Sequence, residues 1–303
     1  VRKFNKPIHL TEDFLEKKLG KCPICLSEKR KKIGIIQKSP LINAYLCKTC
    51  HLGYAERQPT QMFLDDYYST FYDTTDRKTT IYKDLLVNHL KENINVVDRN
   101  EQFNFLDFGG GDGSISYGLA KYILEFNETM KIKILVIDPN FRKPKDSNGK
   151  INIYSLSSIE SIPQNTEFDF VIASAILEHI KDPRKVLEKL LYVLKPSGIF
   201  YARTPYLFPF KSLFNKIGIN LDMRYPGHLF DMGSKFWNSI LPTLNLESSF
   251  HIIKSRPSLI QTSIRENIFK WIVLYLFKFP NRFFNKYYHL VGGWEILIKK
   301  KIM

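Results

Sequence analysis

Cysteine is scarce in this chain of 303 residues, and the four that it has belong to one pattern. No scattered set is left over from which a disulfide framework could be built. Long apolar runs are missing too. The longest strongly apolar stretch, Trp271 to Phe277, is seven residues, whereas a membrane-crossing helix needs about 20. The opening residues, VRKFNKPIHL, are charged and lack the apolar core of a secretory leader. A cytoplasmic protein is therefore expected. Acidic residues are in deficit: 45 Lys and Arg face 30 Asp and Glu, a formal charge of +15. The deficit is local. Residues 1–60 carry a net +8 and residues 250–303 another +8, whereas 61–249 come to −1. A neutral core with basic flanks can attract nucleic acid, anionic lipid or phosphorylated substrates, or can simply keep the chain solvated.

The chain is otherwise ordinary for a globular protein, with 44% hydrophobic and 25% charged residues. Its organising stretch is Phe105 to Gly113, FLDFGGGDG. An apolar run carrying one acid, Asp107, breaks into Gly109, Gly110, Gly111 and, after Asp112, Gly113. This is the pattern of a buried strand that ends where the backbone approaches something closely. Ser114 to Phe126 follows with apolar residues on one helical face. Strand, glycine turn and helix make half of a nucleotide site, although the spacing is not G-x-G-x-x-G. Ile132 to Ile137 is a second apolar strand ending at Asp138, an acid placed to take the hydroxyls of a ribose.

These residues resemble the class I S-adenosylmethionine-dependent methyltransferases. The resemblance runs through FLDFGGGDG, VIDPN, FDFVIASAILEHIKDP and LLYVLKPSGIFYARTP, in that order, from about Asn104 to Arg203. It implies an α/β fold, a Rossmann-like seven-stranded sheet, and S-adenosylmethionine as cofactor. Asp107, Gly109, Gly110, Gly111, Gly113, Asp138 and Ser174 are then the cofactor side of the site. Asp107 would fix the glycine turn or the cofactor's amine. The loop after a short third strand, Ile151 to Tyr154, reads Ser155 to Glu160 and would hold adenine against Ile159.

Residues 1–60 read as a separate module. Cys22-Pro-Ile-Cys25 and Cys47-Lys-Thr-Cys50 are two C-x-x-C pairs that can close a tetrahedral four-thiolate site. Structural zinc is expected, because four protein ligands leave no open position and so short a segment needs the added stability. His51 is expected to be a bystander. Lys29 to Lys32 reads as a basic loop tip, with Ile33 to Ile36 and Ala44 to Leu46 as strands of a zinc ribbon. Residues 61–303 form the second domain. The join, with Pro59-Thr60, Asp65-Asp66 and Tyr67-Tyr68, resembles methyltransferases of cell-surface glycan and nucleotide-sugar biosynthesis.

Within the second domain, Ile81 to Val97 reads as a helix leading into the first strand, and the helix after Asp182-Pro183 as running to Leu194. Strands are also expected at Phe168 to Ala173, Ile199 to Arg203, Leu246 to Lys254 and Gly292 to Lys300. The fourth strand ends at Glu178-His179, and a long aromatic insertion, Thr204 to Met232, contains Tyr225-Pro226-Gly227-His228. A histidine can serve as a base near neutral pH. His228 is the expected base, and His179 is read as ordering the turn before the helix. A second insertion, 258–290, mixes aromatic and basic residues as a membrane-surface helix, a homodimer contact or a packing element would.

Three function classes follow. One is methyl transfer to a sugar hydroxyl, with a small-molecule or glycan acceptor that can be nucleotide-linked. Another is RNA methylation with the zinc module as grip. The last is a non-catalytic binding protein on the same fold. The intact glycine turn and Asp138 weigh against the last. No Asn- or Asp-Pro-Pro-Tyr sequence for amine methylation follows the fourth strand, and no cysteine is spare for carbon methylation of a base. The sugar reading leads, and nucleic acid is not the expected partner.

Overall fold

A computed structural model of the chain describes residues 8–73, 83–94, 101–139, 141, 149–216, 218–219, 224–258, 272, 276, 278–280, 283 and 290–302. The elements are β1 (Arg30–Gln37), β2 (Ile42–Cys47), β3 (Gly53–Ala55), α1 (Gln61–Asp73), α2 (Lys83–Lys91), β4 (Gln102–Phe108), α3 (Ser114–Phe126), β5 (Lys131–Ile137), β6 (Ile151–Leu156), β7 (Phe168–Ser174), α4 (Pro183–Tyr192), β8 (Leu194–Tyr206), α5 (Phe208–Lys216), β9 (Phe230–Asp231), α6 (Ser234–Thr243), β10 (Phe250–Pro257) and β11 (Gly292–Lys300). Among the described residues no helix is long and apolar enough to cross a membrane.

Seven strands form the large sheet in the order β10-β11-β8-β7-β4-β5-β6. Pairings from β8 through β6 are parallel, and β11 joins antiparallel to β8 and β10. The expected α/β class and seven-stranded sheet are both present. The inner strands alternate sides, as strand geometry requires. Phe105, Ile134, Phe170 and Ile172 pack with α2 and α3 on one face. Leu106, Leu135, Val171 and Ala173 pack on the other with α4, α6 and the amino-terminal module. The chain order reverses direction between β4 and β7, and their carboxyl ends open the crevice where ligands bind in such sheets.

The amino-terminal residues form a four-stranded sheet, β1-β2-β3-β9. Its fourth strand comes from the far side of the chain: Gly53 pairs with Asp231 and Tyr54 with Phe230. Cys22, Cys47, Cys50 and Tyr54 belong to the same buried cluster as Phe236, Trp237 and Ile240 of α6. Lys29 to Lys32 is not a loop tip. Arg30, Lys31 and Lys32 pair with Cys47, Leu46 and Tyr45. Arg30 donates to the Leu19 carbonyl at 2.6 Å and lies 4.2 Å from the centre of the Tyr45 ring. The alternation of a short edge strand is hard to see in four consecutive cations, because their long stems can lie along either face.

Thr60 starts α1 with its hydroxyl accepting from Phe63 N at 3.3 Å, and Asp182 caps α4 by accepting from Lys185 N at 3.2 Å. The helix ends at Tyr192 rather than Leu194, because Leu194 already pairs with Phe168 as the first residue of β8. Ile81, Tyr82 and residues 95–97 of the expected leading helix, and most of the 258–290 insertion, lie outside the described residues.

Because β9 and the α6 cluster close the small sheet, the two sheets share buried contacts and should unfold together. Scanning calorimetry is expected to give one heat-capacity peak. Two resolved peaks would show that residues 8–60 melt on their own.

Candidate active site and metal centre

The four cysteines are unoxidised and mostly buried. Their sulfur atoms lie within 4.8 Å of one another, with Cys22 to Cys50 at 3.5 Å and Cys25 to Cys47 at 3.4 Å. A zinc–sulfur bond of about 2.3 Å puts tetrahedral sulfurs about 3.8 Å apart, so the set fits one ion. The two knuckles are copies of each other. Leu26 and His51, each just after its second cysteine, have φ of 59°. Cys22 N donates to Ser27 O and Cys47 N to Leu52 O, both at 2.9 Å. Four thiols this close cannot ionise together without a cation. The hydrogen bond from Cys50 pulls the Cys22 thiol down to about 6. Burial pushes Cys25 up to about 11, and Cys50 is driven far up, chiefly by Cys22. His51 is not part of the cluster; burial and Lys235 hold its imidazole below the usual range.

The glycine turn is built as a bare strip of backbone. Gly109, Gly111 and Gly113 have φ of 69°, 57° and 70°. A Cβ on Gly109 would meet Ile176 at 2.5 Å, and one on Gly110 would meet the Asp107 carboxyl at 2.4 Å. Asp107 is therefore beneath the turn, almost fully buried, with Ser116 Oγ donating to it at 2.8 Å. Burial pushes its carboxyl up to about 6. Across the turn, Asp138 Oδ2 accepts from Gly111 N at 2.9 Å. Ser174 Oγ, at the end of β7, accepts from Arg203 Nε at 3.2 Å. Ile159 is 6% exposed and sits in the core cluster.

Beyond β7 the backbone turns sharply. Ala175 has φ of 58°, a left-handed conformation that costs a non-glycine residue about 1 kcal/mol or more. The turn presents Ile176 to Gly109 and then Glu178 and His179. Here the chain's distant parts meet. His179 Nδ1 donates to the Gly227 carbonyl at 2.6 Å, and Tyr68 Oη lies 3.0 Å from both the same nitrogen and the same carbonyl. The His179 and His228 rings stand edge to face, 4.9 Å between centres. Leu229 N donates to the Glu178 carbonyl at 2.8 Å. Glu178 is 2% exposed, and burial pushes its carboxyl up. Burial, then the charges of His179 and Arg224, push His228 down to about 3, so its ring is neutral.

His179 thus orders a turn, but the turn is Tyr225 to His228, not the start of α4, which Asp182 caps. Both expected histidines are in one place. Glu178 and Tyr68 are partners that the sequence reading assigned no role. The signal for Glu178 was its position beside His179 at a strand end.

Residues 74–247 match a family model described as a methyltransferase domain. The chain belongs to that methyltransferase family. It is 24% identical over 160 residues to the mitochondrial ubiquinone biosynthesis O-methyltransferase of Dictyostelium discoideum, covering 50% of this chain and 49% of that one. It is 34% identical over 104 residues to the enzyme of the same name from Candida albicans, covering 33% and 31%. The chain spans less than half the length of the curated relatives it matches. Among solved structures, the plantazolicin methyltransferase BpumL in complex with a monoazolic desmethylPZN analog and SAH aligns over 77% of this chain and 89% of its own. The identity is 15% and the TM-score 0.48.

S-adenosylmethionine is the cofactor of this methyltransferase family, and the residues fit it. In the strip from Gly109 to Gly113 only the exposed Asp112 carries a side chain, its Oδ1 accepting from Ser114 N at 3.0 Å, so a ligand can reach the glycine backbone, and the strip leads into the amino end of α3. That strip would hold the amino-acid end, and Asp138 the ribose. Asp107 has a consequence for stability. Its carboxyl stands at 3.8 in the unfolded chain and about 6 in the fold, so the folded state binds the extra proton between those values. Stability should fall as pH rises from about 4 to 6, by about 3 kcal/mol in total from this group. Urea titrations of the cofactor-free protein should show that slope reduced in Asp107→Asn. An unchanged slope would mean that Asp107 is not the buried acid described.

Proposed function

We propose that this methyltransferase methylates a sugar hydroxyl, on a nucleotide-sugar or a surface glycan. One observation carries the reading. Tyr67-Tyr68, from the stretch that resembles the glycan and nucleotide-sugar enzymes, meets two stretches far from it in sequence: Glu178-His179 of the general methyltransferase motif and Pro226-Gly227-His228 of the insertion. They converge on one hydrogen-bonded junction beside the glycine turn. Bound S-adenosylmethionine supplies an electrophilic methyl group. A hydroxyl that accepts it must lose its proton as the carbon–oxygen bond forms. The Glu178–His179–His228 cluster receives the acceptor oxygen and takes charge of that proton.

The geometry supports exchanging the histidine roles that the sequence suggested. His179 Nδ1 carries a hydrogen, since it donates to a carbonyl, so Nε2 is its acceptor atom. His179 is therefore the better placed base, with His228 beside it as a neutral ring. Three basic groups around the amino-terminal segment, two from it and Lys181 from the loop before α4, have acidic partners within the chain. Arg57 pairs with Glu12 at 2.6 Å, Lys18 with Glu56 at 3.5 Å, and Lys181 with Glu16. That use of charge supports a sugar acceptor over RNA.

Labelled S-adenosylmethionine incubated with nucleotide-sugar, glycan and RNA pools should mark the first or second. Label in RNA alone would reverse the reading. With the true acceptor at saturating cofactor, His179→Ala should lower turnover by about 10²–10⁴-fold while cofactor affinity stays nearly unchanged. Full turnover in that variant would remove the cluster from the chemistry.

A further inference from the structure

We propose that Glu178, His179 and His228 bind a first-row divalent cation at the acceptor edge, a second metal site distinct from the four-cysteine centre. Each residue offers one donor atom, and these atoms lie within 4.8 Å of one another. Glu178 Oε1 and His179 Nε2 are 3.8 Å apart, too far for a hydrogen bond between them. Among the described residues six buried side-chain N or O atoms have no hydrogen-bond partner, and two of them, Glu178 Oε2 and His228 Nδ1, belong to this cluster. A buried polar atom left unpaired is costly, and a cation relieves both at once.

The donor set decides the class of ion. Two imidazoles and one carboxylate suit zinc, manganese or iron(II), and three protein ligands leave positions open for a water or a substrate oxygen. The cysteine centre, by contrast, is closed. The cluster also has the supporting bonds that a metal-binding imidazole uses. His179 Nδ1 donates to Gly227 O at 2.6 Å and meets Tyr68 Oη at 3.0 Å, which fixes the ring and turns Nε2 toward the site. The Glu178 backbone is tied by Leu229 N. The His179 ring and the Glu178 backbone are thus set before any ion arrives.

The site deepens the acceptor reading above and rests on it for its use, though not for binding. A cation in the open site would take the acceptor's oxygen as a ligand and make its proton easier to remove. With the ion bound, His179 Nε2 is a ligand and no longer the base, so the acceptor's proton passes to solvent water, and Glu178, His179 and His228 act on the acceptor through the ion.

The test uses the full chain with one zinc retained after dialysis against a weak chelator, titrated with Mn²⁺ or Co²⁺. Uptake is read by the loss of the free Mn²⁺ spin-resonance signal and by visible absorption for Co²⁺. One ion per chain is expected beyond the zinc. Glu178→Gln and His228→Phe should each abolish that uptake up to millimolar metal, while keeping one zinc and the wild-type melting temperature. Tyr68→Phe, which keeps all three ligands, should weaken uptake by about 10–100-fold. No uptake of either ion by the wild type, or equal uptake by both ligand variants, overturns the site. No uptake together with loss of turnover in His179→Ala overturns the cation and leaves the acceptor reading standing. Uptake that behaves as expected, with label found only in RNA, does the reverse.

Discussion

The bond from His179 Nδ1 to the carbonyl of Gly227 holds three parts of the chain in one arrangement. His179 comes from the turn after β7 of the large sheet, Gly227 from the insertion after β8, and Tyr68, which shares the bond, from α1 beside the amino-terminal sheet. The insertion is held from other sides as well. Tyr225 Oη donates to Arg57 O at 3.0 Å, and Leu229 N to Glu178 O at 2.8 Å. Immediately beyond, Phe230 and Asp231 enter the small sheet. The amino-terminal residues therefore brace the loop that carries His228, so a metal held by the four cysteines would bear on the placing of that loop.

The two donor clusters illustrate how burial and charge are used differently. The cysteines form a four-sulfur set whose repeated knuckle geometry suits one ion. Glu178, His179 and His228 are an incomplete set on the crevice side, next to a residue in left-handed backbone conformation. The glycine turn lies on the other flank of Ile176, whose side chain fills the space that a Cβ on Gly109 would need. Ile176 thus packs on the glycine turn two residues before Glu178, which brings the turn and the cluster onto neighbouring stretches of one crevice edge.

Much of the fold was legible in the sequence because its signals are local. α3 and β11 have the expected limits, and β4, β5, β6 and β7 differ by a residue or two, since apolar runs bounded by glycine and acid leave little choice; β8 instead runs Leu194–Tyr206 rather than Ile199 to Arg203, and β10 runs Phe250–Pro257 rather than Leu246 to Lys254. The four-cysteine cluster was legible from spacing. What could not be read is non-local. A two-residue strand such as β9 has no periodicity, and its pairing with Gly53 and Tyr54 depends on the path of the whole insertion. Tyr68 and His179 are 111 residues apart, so neither local pattern announces the other. Glu178 has a sequence signal only in its place beside His179; its burial is what marks it out. The basic run at Lys29 failed as a loop because strand pairing, not polarity, decides those residues.

The central claim is that the junction fixes His179 with its hydrogen on Nδ1 and its lone pair on Nε2. Nitrogen-15 spectroscopy of the histidine rings, assigned through His179→Gln, measures this directly. The account predicts an Nδ1-protonated neutral ring near pH 8 in the cofactor-free protein freed of any added divalent metal, with the Nδ1 proton protected from exchange and exposed by Tyr68→Phe. A ring protonated on Nε2 instead, or an Nδ1 proton that exchanges freely in the wild type, would contradict it.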